Sequence, residues 1–204
     1  MDKQSLSEVY DRFAESYDTA RDAFNIDDVI AEFQTKLNCE AGSLLDLGCG
    51  AGVPLARSFV DKSWHVTGVD FSEKMIALAN KQVPEMQTLV SDISEVTFES
   101  EKFDAITAIY SLFHIPRAQH PDLFSNIHQW LKPKGKCLFT YATQEYTGSG
   151  EFDGYKEFMG EQLFYSHDKP ENLVALLESL AFNVDSCDKK TIAGETFLWL
   201  TAEK

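Results

Sequence analysis

Basic side chains are scarce in this chain: 18 Lys and Arg stand against 33 Asp and Glu, a formal net charge of −15 at pH 7. That field repels a polyanion unless a local basic patch overcomes it. The basic runs are Lys132-Pro133-Lys134-Gly135-Lys136, which reads as a turn before a strand, and Lys189-Lys190. Nucleic acid and anionic membrane surfaces are therefore not expected as partners. Cysteine is sparse too. Cys39, Cys49, Cys137 and Cys187 lie far apart with no C-x-x-C, so neither a zinc site nor a disulfide framework is expected. A reduced cytoplasmic setting fits. Long apolar runs are missing: none approaches a membrane span, and the charged N-terminus has no signal-peptide core.

What is present describes one globular domain spanning 1–204, with 44% hydrophobic and 25% charged residues. Residues 5–18 carry Leu6, Val9, Tyr10, Phe13, Ala14 and Tyr17 at helical spacing. With a second helix after Asp27-Asp28, they make an N-terminal helical cap over 1–40. Strands are then expected at Leu44–Leu47, His65–Val69, Gln87–Val90, Asp104–Ile109 and Lys136–Tyr141, alternating with helices. One helix starts at Pro54, one is capped by Ser72, and one covers Asp122–Leu131. The apolar fourth strand suits a sheet covered on both faces. The alternation predicts a three-layer α/β sandwich on a mostly parallel sheet. A helix at Glu171–Leu180 precedes two strands, Phe182–Ser186 and Thr196–Thr201, whose short link requires an antiparallel hairpin. Residues 143–169 show no period but are rich in aromatics, and read as an irregular substrate cover.

The chemistry gathers at strand ends. Leu44–Gly52 reads L-L-D-L-G-C-G-A-G: a buried strand carrying Asp46, then Gly48, Gly50 and Gly52. Glycine there permits positive φ and close approach of backbone to a ligand. Asp70 ends the second strand about 20 residues on, where a carboxylate accepts from ribose hydroxyls. Asp92 and Ile93 follow the third strand, suited to the amino group and face of adenine. Tyr110-Ser111-Leu112-Phe113-His114 follows the fourth, beside the reacting end of a cofactor. A dinucleotide fingerprint G-x-G-x-x-G would need glycine at Val53 and fails. Acid-x-Gly-x-Gly-x-Gly suits a cofactor with a cationic amino acid end.

These segments together resemble the class I S-adenosylmethionine-dependent methyltransferases of small molecules. LLDLGCGAG resembles their first motif, VTGVDFSEKMIALA the second, VSDIS the third and FDAITAIYSLFHIP the fourth; LKPKGKCLFTYA matches their strand-five region. YDRFAESYD is similar to their N-terminal helix, whose tyrosines border the cofactor. The resemblance implies a Rossmann-like sheet of seven strands in the order 3-2-1-4-5-7-6, strand seven antiparallel. It implies S-adenosylmethionine as cofactor and S-adenosylhomocysteine as product. It places Tyr17, Asp46, Gly48, Cys49, Gly50, Gly52, Asp70, Phe71, Ser72, Met75, Asp92, Ile93, Tyr110 and Ser111 around the cofactor.

The implied reaction is an in-line displacement at an activated methyl group, which positioning and desolvation can carry, so no catalytic residue is assigned. Tyr10, His114, Tyr146 and His167 are expected at the acceptor. His114 and His167 are candidate bases, with a structural role open for His114. The other histidines, His65, His120 and His128, fall on strand or helix surfaces. The fourth strand ends I-Y-S-L-F and not in the Asn/Asp-Pro-Pro signature of nucleobase amino-methyltransferases. No acidic metal cluster of the catechol type is present. A small, partly apolar acceptor is expected. A non-catalytic S-adenosylmethionine-binding or regulatory protein of the same fold remains the alternative.

Overall fold

The computed structural model describes residues 3–20, 25–158 and 160–204, and the side chains of 6–14, 25–158 and 160–204. Helices α1 (Lys3–Ala20) and α2 (Asp27–Lys36) precede the sheet. Then come β1 (Ser43–Leu47), α3 (Leu55–Val60), β2 (His65–Asp70), α4 (Glu73–Gln82), β3 (Gln87–Val90), β4 (Phe103–Ala108), α5 (His120–Trp130) and β5 (Leu131–Tyr141). All five strands pair in parallel. After α6 (Gln144–Thr147), β6 (Phe152–Phe158), β7 (Glu161–His167) and α7 (Pro170–Ser179), the chain ends in β8 (Asn183–Ile192) and β9 (Glu195–Glu203). These last two form an antiparallel hairpin, and β9 runs antiparallel to β5. The sheet order is β3-β2-β1-β4-β5-β9-β8, the expected order with the terminal hairpin as its last two strands. No helix among the described residues is long and apolar enough to cross a membrane.

Successive strand residues feed opposite faces, as a period of two demands. Leu45 and Ile106 join one core with Leu123, Phe124, Ile127 and Trp130 of α5 and Leu173 and Leu177 of α7. Leu44 and Ala105 join the other, with Phe33 of α2, Phe59 of α3 and Ile76 of α4. Each fully buried Leu, Ile or Phe contributes roughly 1.5–3 kcal/mol, so the two cores dominate stability. A third cluster joins Val9 and Phe13 of α1 to Leu163 and Tyr165 of β7, with Phe113 and Phe197 between them.

Three expectations are corrected. Residues 143–169 are not irregular: α6 and an antiparallel hairpin, β6–β7, occupy most of them. Phe158 pairs with Glu161 at the end of the hairpin, and Gly160 takes φ 82. The alternation was hidden because the more sheltered positions of β6 are Phe152, Gly154, Lys156 and Phe158, two of them not apolar. Lys132–Gly135 does not separate α5 from the strand. The strand opens at Leu131, opposite Phe103, and the pairing resumes at Lys136 opposite Ala105, so the four residues bulge inside β5. Lys134 takes φ 65 there. His120 is not on a surface but 2% exposed. Its Nε2–H donates to the Ile115 carbonyl (2.8 Å), and Nδ1 accepts from the Tyr141 hydroxyl (2.8 Å).

Candidate functional site

The turn after β1 is folded against the end of β2. Gly48 N and Cys49 N both donate to the Val69 carbonyl (2.7 and 3.0 Å), and Gly50 N donates to Asp70 Oδ2 (2.9 Å). Gly48 sits at φ 79, Gly50 at φ 52 and Gly52 at φ 81. A Cβ on Gly48 would lie 2.3 Å from Ser111 Cβ, so the β1 and β4 loops touch there with no room for a side chain. Ser111 is pinned by its hydroxyl, which donates to the Leu47 carbonyl (2.6 Å). Asp46 bridges the sheet below, accepting from Thr107 Oγ1 of β4 (2.8 Å).

Asp70 is 7% exposed. Its Oδ1 accepts from Ser72 N (2.9 Å) and its Oδ2 from Gly50 N, which together fix the plane of the carboxylate. A carboxylate offers about four acceptor sites, so this orientation is compatible with further donors. Ser72 caps α4, its Oγ accepting from Met75 N (3.1 Å). The same hydroxyl donates to Asp11 of α1. Ser7 Oγ donates to the Phe71 carbonyl (3.1 Å), so α1 is tied to the β2–α4 connection at two points. On the third strand's loop, Asp92 Oδ1 accepts from Ser94 N and Oγ (2.7 and 2.6 Å), an Asx turn that sets Ile93 beside it.

His114 joins three elements. A carbonyl only accepts, so the 2.7 Å contact to Phe164 O of β7 places the proton on Nδ1. Nε2 then accepts from the Tyr10 hydroxyl of α1, also at 2.7 Å. Burial pushes the imidazole down to about 4, against the opposing pull of the Phe164 carbonyl. An unfolded histidine titrates near 6.5. Between those values the unfolded chain takes up the proton and the native chain does not. Stability is therefore full above about pH 6.5 and falls as the pH drops towards 4. From pH 7 to pH 5 this group alone should remove about 2 kcal/mol. His120 and His167 are lowered by burial in the same direction, so the His114 share is isolated by difference. The urea midpoint of His114→Gln should fall less than wild type's over that interval; equal falls would remove His114 from the account.

These elements enclose a cavity of about 290 Å³. Gly48, Phe71, Asp92, Ile93, Glu95 and Ser111 line it together with Leu6, His114, Ile115, Pro116, Tyr155 and Phe164. A smaller pocket of about 40 Å³ shares Gly48, Phe71, Ser111 and His114 with it and adds Tyr10, Gly50, Asp70, Met75 and Tyr110. Both lie at the carboxyl ends of the parallel strands, where open α/β sheets place ligands.

Residues 44–135 match a family model described as a methyltransferase domain. Over that stretch, from β1 to the bulge in β5, the chain is similar to a methyltransferase domain. The fold of the chain is shared with an S-adenosylmethionine dependent methyltransferase from Mesorhizobium loti, with a TM-score of 0.72 at 18% identity over 87% of this chain and 96% of that one. It is shared too with 1,6-didemethyltoxoflavin-N1-methyltransferase of Burkholderia thailandensis, with a TM-score of 0.73 at 20% identity over 98% and 89%. In sequence the chain is 33% identical over 138 residues to phosphoethanolamine N-methyltransferase 1 of Triticum aestivum, covering 65% of this chain and 27% of that protein. The chain spans about a quarter to a half of the length of the curated relatives it matches.

Gly48, Gly50, Asp70, Phe71, Met75, Asp92, Ile93, Tyr110 and Ser111 come together on the pockets, as do Tyr10 and His114. Asp46, Cys49, Gly52 and Ser72 do not line them. They brace the loops: Cys49 packs on Gly68, and Gly52 on Val83 and Met86. Tyr146 and His167 do not line the pockets either. Tyr146 donates to the Tyr165 hydroxyl (3.1 Å) with Lys156 Nζ over its ring (4.4 Å), and His167 Nε2 meets Thr147 Oγ1 (2.7 Å). The Tyr17 side chain lies outside the described residues. Sequence reasoning missed Leu6, Glu95, Ile109, Ile115, Pro116, Tyr155 and Phe164 as lining residues, and Asp11 as the tie of α1. Ile115 and Pro116 sit inside a recognised motif, but neither residue type signals chemistry.

Proposed function

We propose that this chain is an S-adenosylmethionine-dependent methyltransferase acting on a small molecule by in-line methyl transfer. The observation that carries the reading is Asp70: a buried carboxylate, oriented by two backbone N–H groups, ending β2 on a pocket. The surrounding residues fit the cofactor's parts. Asp70 suits ribose hydroxyls, Asp92 the adenine amino group, and Ile93 and Phe71 the faces of the ring. Gly48 and Gly50 present side-chain-free backbone to the smaller pocket. Acidic residues on the pockets suit a cation. S-adenosylmethionine, when bound, supplies a methyl carbon activated by a sulfonium.

The chain's own residues position and enclose. We infer that α1 and the β6–β7 hairpin together cover the site. Tyr10 and Phe164 close on His114 from the two sides, and Arg12 of α1 pairs with Glu161 of β7 (2.8 Å). Such a cover keeps water from the reacting atoms. Within the 1–40 segment α1 thus serves as the cap, while α2 packs with α3; 143–169 serves as a substrate-covering insertion, and the whole as one domain. The names of the Triticum and Burkholderia proteins both specify small-molecule substrates, which supports a small acceptor here. Free cysteines support a reducing, cytoplasmic setting.

Calorimetry with S-adenosylmethionine, S-adenosylhomocysteine and NAD tests the cofactor, and transfer of labelled methyl to an acceptor panel tests the activity. Binding of the first two and not of NAD is expected. Binding of NAD alone would overturn the reading. Cofactor binding without transfer to any acceptor would return the chain to a binding or regulatory role.

A further inference from the structure

The cavity is built from two kinds of material. One kind comes from the ends of the parallel strands: Gly48, Phe71, Asp92, Ile93 and Ser111, with Glu95 two residues past Ile93. The other comes from α1, the hairpin and the end of the fourth motif before α5, and is apolar but for His114: Leu6, Ile115, Pro116, Tyr155 and Phe164. Tyr155 and Phe164 meet edge to face with centroids 5.7 Å apart. Tyr155, at 47% exposed, stands at the mouth. An apolar wall with two aromatic rings gains most from a flat apolar guest, through area and ring–ring geometry together.

Charge narrows the guest further. Among the described residues lining the two pockets none is Lys or Arg, while Asp70, Asp92 and Glu95 are there. An anionic acceptor would meet repulsion with no counter-charge among them, in a chain of net charge −15. Proton chemistry narrows it again. His114 is the one histidine among the described lining residues, and both ring nitrogens are engaged: Nδ1 donates to Phe164 O, and Nε2 accepts from Tyr10. It has no lone pair left with which to take a proton from an acceptor.

We propose that the methyl acceptor is a flat, uncharged molecule, such as a heteroaromatic ring, whose reacting atom already carries its lone pair at neutral pH, seated against Tyr155, Phe164, Ile115 and Pro116. This rests on the cofactor reading above. The lone pair forms the new bond to the methyl carbon, and the carbon–sulfur bond breaks with its electron pair staying on sulfur. The positive charge passes from sulfur to the methylated atom, so no proton has to leave. The acidic lining, with no Lys or Arg among the described residues, then suits the field of a cationic product. His114 acts as a positioning residue that holds Tyr10 and the hairpin together.

Quinoline and phosphoethanolamine serve as probes, titrated by calorimetry into protein saturated with S-adenosylhomocysteine. Quinoline should bind at least about tenfold more tightly than phosphoethanolamine. Tyr155→Ala should weaken quinoline about fivefold and leave S-adenosylhomocysteine within about twofold, while Tyr155→Phe should retain quinoline. The rate of transfer to quinoline should be flat from about pH 6.5 to 9, as expected with no titrating base. Equal or tighter binding of phosphoethanolamine, unchanged quinoline binding in Tyr155→Ala, or a rate that climbs with pH would each overturn the proposal while leaving the cofactor reading intact. Failure of S-adenosylhomocysteine to bind would overturn both.

Discussion

Asp70→Ala is expected to weaken S-adenosylmethionine and S-adenosylhomocysteine by roughly 1.5–3 kcal/mol, about tenfold to 100-fold, from lost charge-assisted hydrogen bonds to ribose. The structure adds a second consequence. Gly50 N and Ser72 N both donate to this carboxylate, and its removal leaves two sheltered N–H groups without that partner. Each such loss costs about 1–3 kcal/mol, so the variant should also unfold at lower urea. Asp70→Asn separates the effects. Its amide oxygen can still accept from one N–H, but its NH2 group would face the other donor. Stability should recover in part and affinity little, because the charge is gone. Calorimetry gives the affinities and urea denaturation the stabilities. A folded Asp70→Ala protein with wild-type affinity for S-adenosylhomocysteine would place the ribose elsewhere.

The region around Asp70 was legible because each of its signals is local. An apolar run followed by alternating glycines, an acid closing the next strand, and Ser72 ahead of a helical stripe are all readable within a few residues. The β-α alternation then orders the strands with little freedom. What could not be read is direction. The glycine turn was expected to offer bare backbone to a ligand, yet the N–H groups of Gly48, Cys49 and Gly50 are spent on Val69 and Asp70. The residue type announced a close approach, and only the three-dimensional path shows that the close neighbour is Ser111.

The hairpin was illegible for a different reason. Gly154 and Lys156 occupy two of the four more sheltered positions of β6, so period two does not appear as an apolar alternation. Within that segment the sequence could not tell scaffold from lining. Tyr146 and His167 turn into internal hydrogen bonds, whereas Tyr155 and Phe164 reach the cavity. His114 was legible as a residue of interest, but whether it acts as a base or as a brace depends on Phe164, 50 positions away in sequence. The bulge at Lys132–Gly135 likewise depends on a register jump against β4.

Gly48→Ala should be the most damaging single methyl that can be added to the site. Two costs combine. A non-glycine residue at φ 79 pays about 1–2 kcal/mol for the left-handed conformation. The added Cβ would also stand 2.3 Å from Ser111 Cβ, and overpacking of this kind costs about 1–3 kcal/mol. Ser111 cannot retreat cheaply, since its hydroxyl holds the Leu47 carbonyl at 2.6 Å. Gly48 cannot retreat either, since its N–H holds Val69 O at 2.7 Å. A loss of about 4 kcal/mol is expected, which at this chain length lowers Tm by roughly 8–16 °C. Because Gly48 lies on both pockets, affinity for S-adenosylhomocysteine should fall with it. Two further variants divide the cost. Gly148 has φ 84 with nothing within 4 Å of a built Cβ, so Gly148→Ala should show the backbone share alone, about 1–2 kcal/mol. Adding Ser111→Gly to Gly48→Ala removes the colliding atom and should restore the steric share, less the lost hydroxyl bond. If Gly48→Ala proved no worse than Gly148→Ala, the contact between the β1 and β4 loops would be looser than the structure places it, and the floor of the site would have to be redrawn.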